Sequence, residues 1–125
     1  MQQGQDYAPV MTPTKPVCEP GEFVIAAAFA DHGHLFGMVS NLLAAGATLG
    51  YVYEPDEAKA NKLLALDPAA KRVETFDAIL QAPDVRLVAA AAIPNLRAAI
   101  GIRVLQADKD YFTDKCPFTT LDQLE

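Results

Sequence analysis

Between Phe23 and Gly37 the sequence reads FVIAAAFADHGHLFG, and the spacing of its apolar residues changes partway along. The first part, FVIAAAFA, is a continuous apolar run, long enough for a buried strand and far too short to span a bilayer. Asp31, His32 and Gly33 interrupt it. From Leu35 the apolar residues fall at helical spacing, at Leu35, Met38, Val39, Leu42 and Leu43, until Gly46 ends the pattern. A buried strand, a tight polar turn and an amphipathic helix make the opening unit of a doubly wound α/β sheet. Ligands collect at the turn of such a unit, because unpaired helix N–H groups converge there.

The rest of the chain repeats the alternation. Ala47 to Glu54 is rich in β-formers and reads as a second strand. Pro55, Asp56 and Glu57 suit the start of a helix carrying Ala60, Leu63 and Leu64, which ends at Asp67-Pro68. Lys71 to Glu74 is a short third strand, and Thr75 is an N-cap for a helix holding Phe76, Ile79 and Leu80, stopped near Pro83. Val85 to Ile93 is an apolar run expected of a strand covered on both faces. After Pro94 and Asn95, the residues Leu96, Ala99, Ile100, Val104 and Leu105 form another helical stripe, and Lys109 to Asp114 reads as a fifth strand. Strands alternating with helices need right-handed crossovers. The predicted fold is a three-layer, doubly wound parallel sheet of about five strands with helices on both faces.

The ends read differently. Residues 1–21 hold Pro9, Pro13, Pro16 and Pro20 with little apolar content, which predicts a mobile extension or strap before a domain starting at Glu22. Thr120 and Gln123 match a capping box, announcing a helix only a few residues before Glu125. One turn of helix is not stable alone, so the chain is expected to be the front part of a longer protein.

At 51% hydrophobic, the 125 residues suffice for one domain with a core. A net charge of −6 disfavours nucleic acid and anionic membrane as partners. No signal peptide or membrane-length apolar run is visible, and Cys18 and Cys116 stand alone, so a soluble protein of a reducing, cytoplasmic compartment is expected. Metal is not expected either. Asp31, His32 and His34 share one tight turn, and such a group seldom wraps a metal without a remote further ligand.

Four spaced signals carry a family resemblance: the DHGH turn, the acid after strand two, the IPN turn after strand four, and the DK pair after strand five. Together they make Phe23 to Glu125 resemble the nucleotide-binding half of the glucose–fructose oxidoreductase / inositol dehydrogenase / rhizopine catabolism (Gfo/Idh/MocA) family. The resemblance implies a Rossmann-type domain binding NAD, in a protein that moves a hydride to or from a sugar, cyclitol or similar polyol. It implies a second domain supplying further substrate contacts and a homo-oligomer interface. It puts Ala30, Asp31, His32, Gly33, His34, Glu54, Pro94 and Asn95 around the cofactor, with the histidines shaping the turn. Glu54, twenty residues after His34, would accept the ribose hydroxyls and repel a 2′-phosphate, favouring NAD over NADP. Lys115 takes the place of the family's catalytic lysine in Glu-Lys-Pro, with Asp114 and Cys116 where the glutamate and proline stand. A lysine there can donate to the reacting oxygen of the substrate.

The sequence also departs from that pattern. Phe29, Asp31 and His34 stand where a GxGxxG loop has its glycines, and Asp31 puts a negative charge beside the expected diphosphate. Asp108 replaces a glycine where a positive φ is expected. Arg97 stands where many relatives have histidine and reads as a solvated helix-face residue. These departures keep open a non-enzymatic binding or assembly module with a degenerate phosphate loop, which Glu54 and Lys115 oppose. A response-regulator-like receiver would need an acceptor Asp after strand three, where Glu74 and Thr75 follow Val73 instead.

Overall fold

The computed structural model describes residues 15–125. Five strands form one parallel sheet: β1 (Val24–Ala28), β2 (Thr48–Tyr53), β3 (Lys71–Arg72), β4 (Val85–Ala90) and β5 (Asp110–Thr113), in the spatial order β3-β2-β1-β4-β5. Four helices connect them: α1 (His34–Ala44), α2 (Glu57–Leu64), α3 (Phe76–Gln81) and α4 (Arg97–Gln106). The chain leaves β1 towards one sheet edge and returns to its other side with β4. The ends of β1 and β4 therefore bound the crevice where such sheets bind ligands.

The sheet's two faces are covered by different helices. Ile25, Ala27, Leu49, Val52 and Ala89 pack with Leu35 and Val39 of α1 and Leu63 of α2. Ala26, Ala28, Val85 and Val88 pack with Phe76 and Ile79 of α3 and Ile100 and Val104 of α4. Strict alternation would put Leu49 and Val52 on opposite faces. They share one because the β1–β2 register slips at Gly50: Ile25 pairs with Leu49 and Ala26 with Tyr51. A Cβ at Gly50 would lie 2.7 Å from Val24 Cγ1, so a side chain there would have to displace Val24.

Thr75 caps α3 as read, accepting the Ala78 N–H at 3.3 Å, whereas α2 starts later than read: Pro55 precedes the helix and Asp56 is its N-cap, accepting the Lys59 N–H at 2.9 Å. Asp108 has φ 56°, the left-handed conformation expected of it. Other expectations need correction. The third and fourth strands are shorter than read, ending at Arg72 and Ala90. Lys109 precedes β5 and is buried, its Nζ donating to the carbonyls of Ala82 (2.6 Å) and Val85 (3.0 Å), which follow α3. No capping box forms at the end of the chain. Gln123 Oε1 instead accepts from the Thr119 N–H at 2.7 Å, and a 3-10 turn over Leu121–Gln123 replaces the expected helix.

Residues 1–14 of the expected mobile extension lie outside the described residues. Residues 15–21 form a strap over the α1–β2 turn: the Val17 N–H donates to Ala45 O at 2.8 Å, and the Gly21 N–H to Thr48 Oγ1 at 2.8 Å. Among the described residues, no helix is long and apolar enough to cross a membrane.

The expected α4 stripe is also displaced. Leu96, Ala99 and Leu105 are exposed, and the buried line is Arg97, Ile100, Gly101 and Val104. Gly101 leaves room for the Tyr111 ring, which a Cβ there would strike, and the Tyr111 hydroxyl is anchored by donating to Arg97 O at 3.1 Å. Alanine is the better helix former by about 1 kcal/mol. Gly101→Ala is nevertheless expected to lower stability by about 1–3 kcal/mol through overpacking, read from the urea unfolding midpoint.

Candidate functional site

The turn after β1 is stitched to its neighbours on both sides. Phe29 donates its N–H to Tyr53 O (3.3 Å) and accepts from the Ala91 N–H (3.1 Å). The His32 N–H donates to Ala91 O at 2.9 Å. Asp31 Oδ2 accepts the Ile93 N–H at 3.2 Å, which ties its carboxylate to the segment after β4. Phe29 has φ 57°, so a bulky residue holds the left-handed conformation that a glycine would adopt freely. Such strain costs about 1–3 kcal/mol. The ring offsets part of it by packing edge-on against Tyr53 and Phe76, with centroids 5.3 and 4.9 Å away.

Glu54 braces the turn from below. It is 5% exposed; Oε2 accepts the N–H of buried Ala30 at 2.6 Å, and Oε1 accepts that of Asp56 at 2.9 Å. The carboxylate thus ties the end of β2 to the turn. Above it the backbone is open. Among the described residues, the N–H groups of Asp31 and Gly33 have no hydrogen-bond partner, and both residues are exposed. A side chain added at Gly33, the N-cap of α1, would meet nothing within 4 Å. The positive end of α1 therefore faces free space. That fits an anionic group such as a diphosphate even without the glycine pattern.

The segment after β5 reaches this turn. Asp114 Oδ2 lies 2.8 Å from His34 Nδ1 and 3.5 Å from His32 Nδ1, and its Oδ1 accepts the Lys115 N–H at 2.8 Å. Burial pulls the Asp114 carboxyl upward, but the His34 hydrogen bond, the Lys115 N–H and the nearby positive charges hold it below its ordinary pKa. Asp114 is thus a carboxylate acceptor, and His34 Nδ1 carries the proton between them. His32 Nδ1 faces the His34 N–H at 3.2 Å and so accepts.

Arg97, read as a solvated residue, is 1% exposed and corrects that expectation. Its Nε donates to Ala92 O at 2.7 Å, and one Nη donates to Lys115 O and, at 3.3 Å, to Cys116 O. It clamps the backbone on which Lys115 sits. The signal was present in the sequence, since Arg97 is three, four and seven residues before Ile100, Gly101 and Val104.

The structure brings Asp31, His32, His34, Pro94 and Lys115 to one cavity of about 270 Å³, with Arg97 and Asp114 in its wall. Ala30 is buried beneath the turn, and Glu54 supports that turn from outside the cavity lining. Asn95 is exposed, and its carbonyl accepts from Gln123 Nε2 at 2.9 Å. Sequence reading missed Arg97 as part of this region, and it named Asp114 beside Lys115 without its contact to His34. The first looked like a polar surface residue; the second is 80 residues from the histidine it meets.

No protein-family model matches the chain, and no curated protein matches it. Among solved structures it is similar to a candidate oxidoreductase from Erwinia carotovora atroseptica: 36% identity and TM-score 0.76, covering 82% of this chain and 31% of that one. It is similar to GenD2 from gentamicin A biosynthesis, solved in complex with NAD, at 17% identity and TM-score 0.73 over 91% of this chain and 32% of that one. The myo-inositol dehydrogenase of Lactobacillus casei, solved with NAD(H) and myo-inositol, aligns at 22% identity and TM-score 0.70 over 81% of this chain and 30% of that one. The chain spans about a third of the length of these structures.

Proposed function

We propose that this Rossmann domain, which resembles the Gfo/Idh/MocA oxidoreductases, binds NAD across the turn after β1 and serves hydride transfer to or from a sugar, cyclitol or similar polyol. The observation that carries this reading is the open, braced start of α1, where among the described residues the N–H groups of exposed Asp31 and Gly33 are unpaired, in the turn that follows β1. They would take the diphosphate, and tying Asp31 to the Ile93 N–H offsets part of its negative charge. Glu54 holds the turn and would meet the adenosine ribose through the lone pairs its two amide bonds leave. A 2′-phosphate beside that carboxylate is disfavoured.

When bound, the nicotinamide supplies or accepts the hydride. Lys115, in the cavity wall beside Pro94, would donate from Nζ to the reacting oxygen of the polyol or ketone. Arg97 acts through the backbone of Lys115 as a positioning residue. The further substrate contacts implied by the resemblance fall to a second domain, so the 125 residues alone are expected to bind cofactor without turning over polyol.

Calorimetric titration of the chain with NADH, and in parallel with NADPH, tests the reading. Saturable NADH binding, with NADPH weaker by roughly tenfold for one repulsive phosphate contact, is the expected result. A folded sample that binds neither at millimolar concentration overturns it in favour of a binding or assembly module, the reading that Phe29, Asp31 and His34 support by replacing glycines.

A further inference from the structure

The geometry points to a divalent transition-metal site of the zinc class on His32, His34 and Asp114. The turn by itself lacks the remote ligand a metal needs; the fold supplies it from the end of β5. The donor atoms of the three side chains all lie within 4.8 Å of one another. His34 Nδ1 and His32 Nδ1 stand 2.8 and 3.5 Å from Asp114 Oδ2. Ligand atoms about 2 Å from a tetrahedral zinc are separated by about 3.3 Å, so the two spacings to Asp114 already fit and the exposed histidines need only close on each other from within 4.8 Å.

The chemistry of the donors agrees. Two imidazoles and one carboxylate suit zinc, cobalt and nickel, and three protein ligands leave a coordination position open for water or another oxygen. The Asp114 Oδ1 is oriented by the Lys115 N–H at 2.8 Å, as metal-bound carboxylates are oriented by a second partner. The side chains of His32 and His34 are 51% and 55% exposed and that of Asp114 is 12% exposed, so the histidines can adjust around a fixed carboxylate. Metal on His32 Nδ1 displaces only the bond from the His34 N–H, a group beside solvent. On His34, metal takes the place of the Nδ1 proton now shared with Asp114. The cation would sit in the wall of the cavity that Lys115 also lines, with its open position available to an oxygen ligand there.

The site does not depend on cofactor binding and is tested with zinc chloride alone. Calorimetric titration of the full chain is expected to show one site per chain, with affinity on the order of micromolar for a three-ligand, exposed site. His34→Ala and Asp114→Asn are each expected to weaken it by roughly tenfold or more. Cys116→Ser, which removes the exposed thiol nearby in sequence, should leave it unchanged. Cobalt(II) gives a second readout, since four-coordinate binding produces an intense visible absorption that both ligand variants should abolish. The proposal is overturned by absence of saturable binding at millimolar zinc, by equal affinity in the ligand variants, or by loss of binding in Cys116→Ser.

Discussion

Arg97→Ala is expected to destabilise the chain by about 3–5 kcal/mol, since it removes at least two hydrogen bonds from a buried charged group at about 1.5–3 kcal/mol each. The guanidinium is 1% exposed and serves the carbonyls of Ala92, Lys115 and Cys116. Alanine would strand those acceptors and leave a void beneath the α4–β5 contact. Lysine recovers little, because one ammonium cannot reproduce the fork that reaches Ala92 and the Lys115 backbone together. The effect should also be local: amide exchange at Lys115 and Cys116 should accelerate in any variant that still folds. Urea unfolding measures the first part. A loss below about 0.5 kcal/mol, the range of a surface substitution, would mean that the arginine is solvated after all.

The second large effect belongs to Glu54. Glu54→Ala removes the acceptor for the Ala30 N–H, which is buried and has no water to turn to, and for the Asp56 N–H, which is exposed. The expected cost is about 2–3 kcal/mol, most of it from Ala30, since a hydrogen bond to a charged group contributes about 1.5–3 kcal/mol. Glu54→Gln should lie between, because its one carbonyl oxygen can serve only one of the two amides well. Both variants loosen the turn that presents the Asp31 and Gly33 amides. NADH affinity should therefore fall by roughly tenfold or more in Glu54→Ala, for about 1.4 kcal/mol of lost preorganisation. Unchanged stability with reduced affinity would separate a ribose contact from the bracing role.

The alternation of strands and helices was legible because period and punctuation agreed. FVIAAAFA followed by the Leu35-Val39 stripe, and the cap at Thr75, each specify one local answer. What could not be read from local pattern depends on partners far along the chain. Arg97 sits on the buried stripe of α4, but a charge among apolar positions reads as surface until Lys115 and Cys116 supply carbonyls for it. Lys109 is the same case, buried only because the carbonyls after α3 receive it. Glu54 was legible as an acid at the end of β2; its engagement with Ala30 was not, since that depends on the Phe29 turn. Phe29 itself looks like a lost glycine, yet it keeps the positive φ of one, with Tyr53 and Phe76 packing against the ring.

A titration of the isotope-labelled chain with NADH, followed by amide chemical shifts, tests the cofactor site most directly. The expected result is saturable shifts concentrated at Asp31, Gly33 and His34, with smaller ones at Ile93 and Asn95 across the crevice. Saturable shifts confined to the strap over the α1–β2 turn, or no shifts at millimolar NADH, would contradict a dinucleotide site at the end of β1.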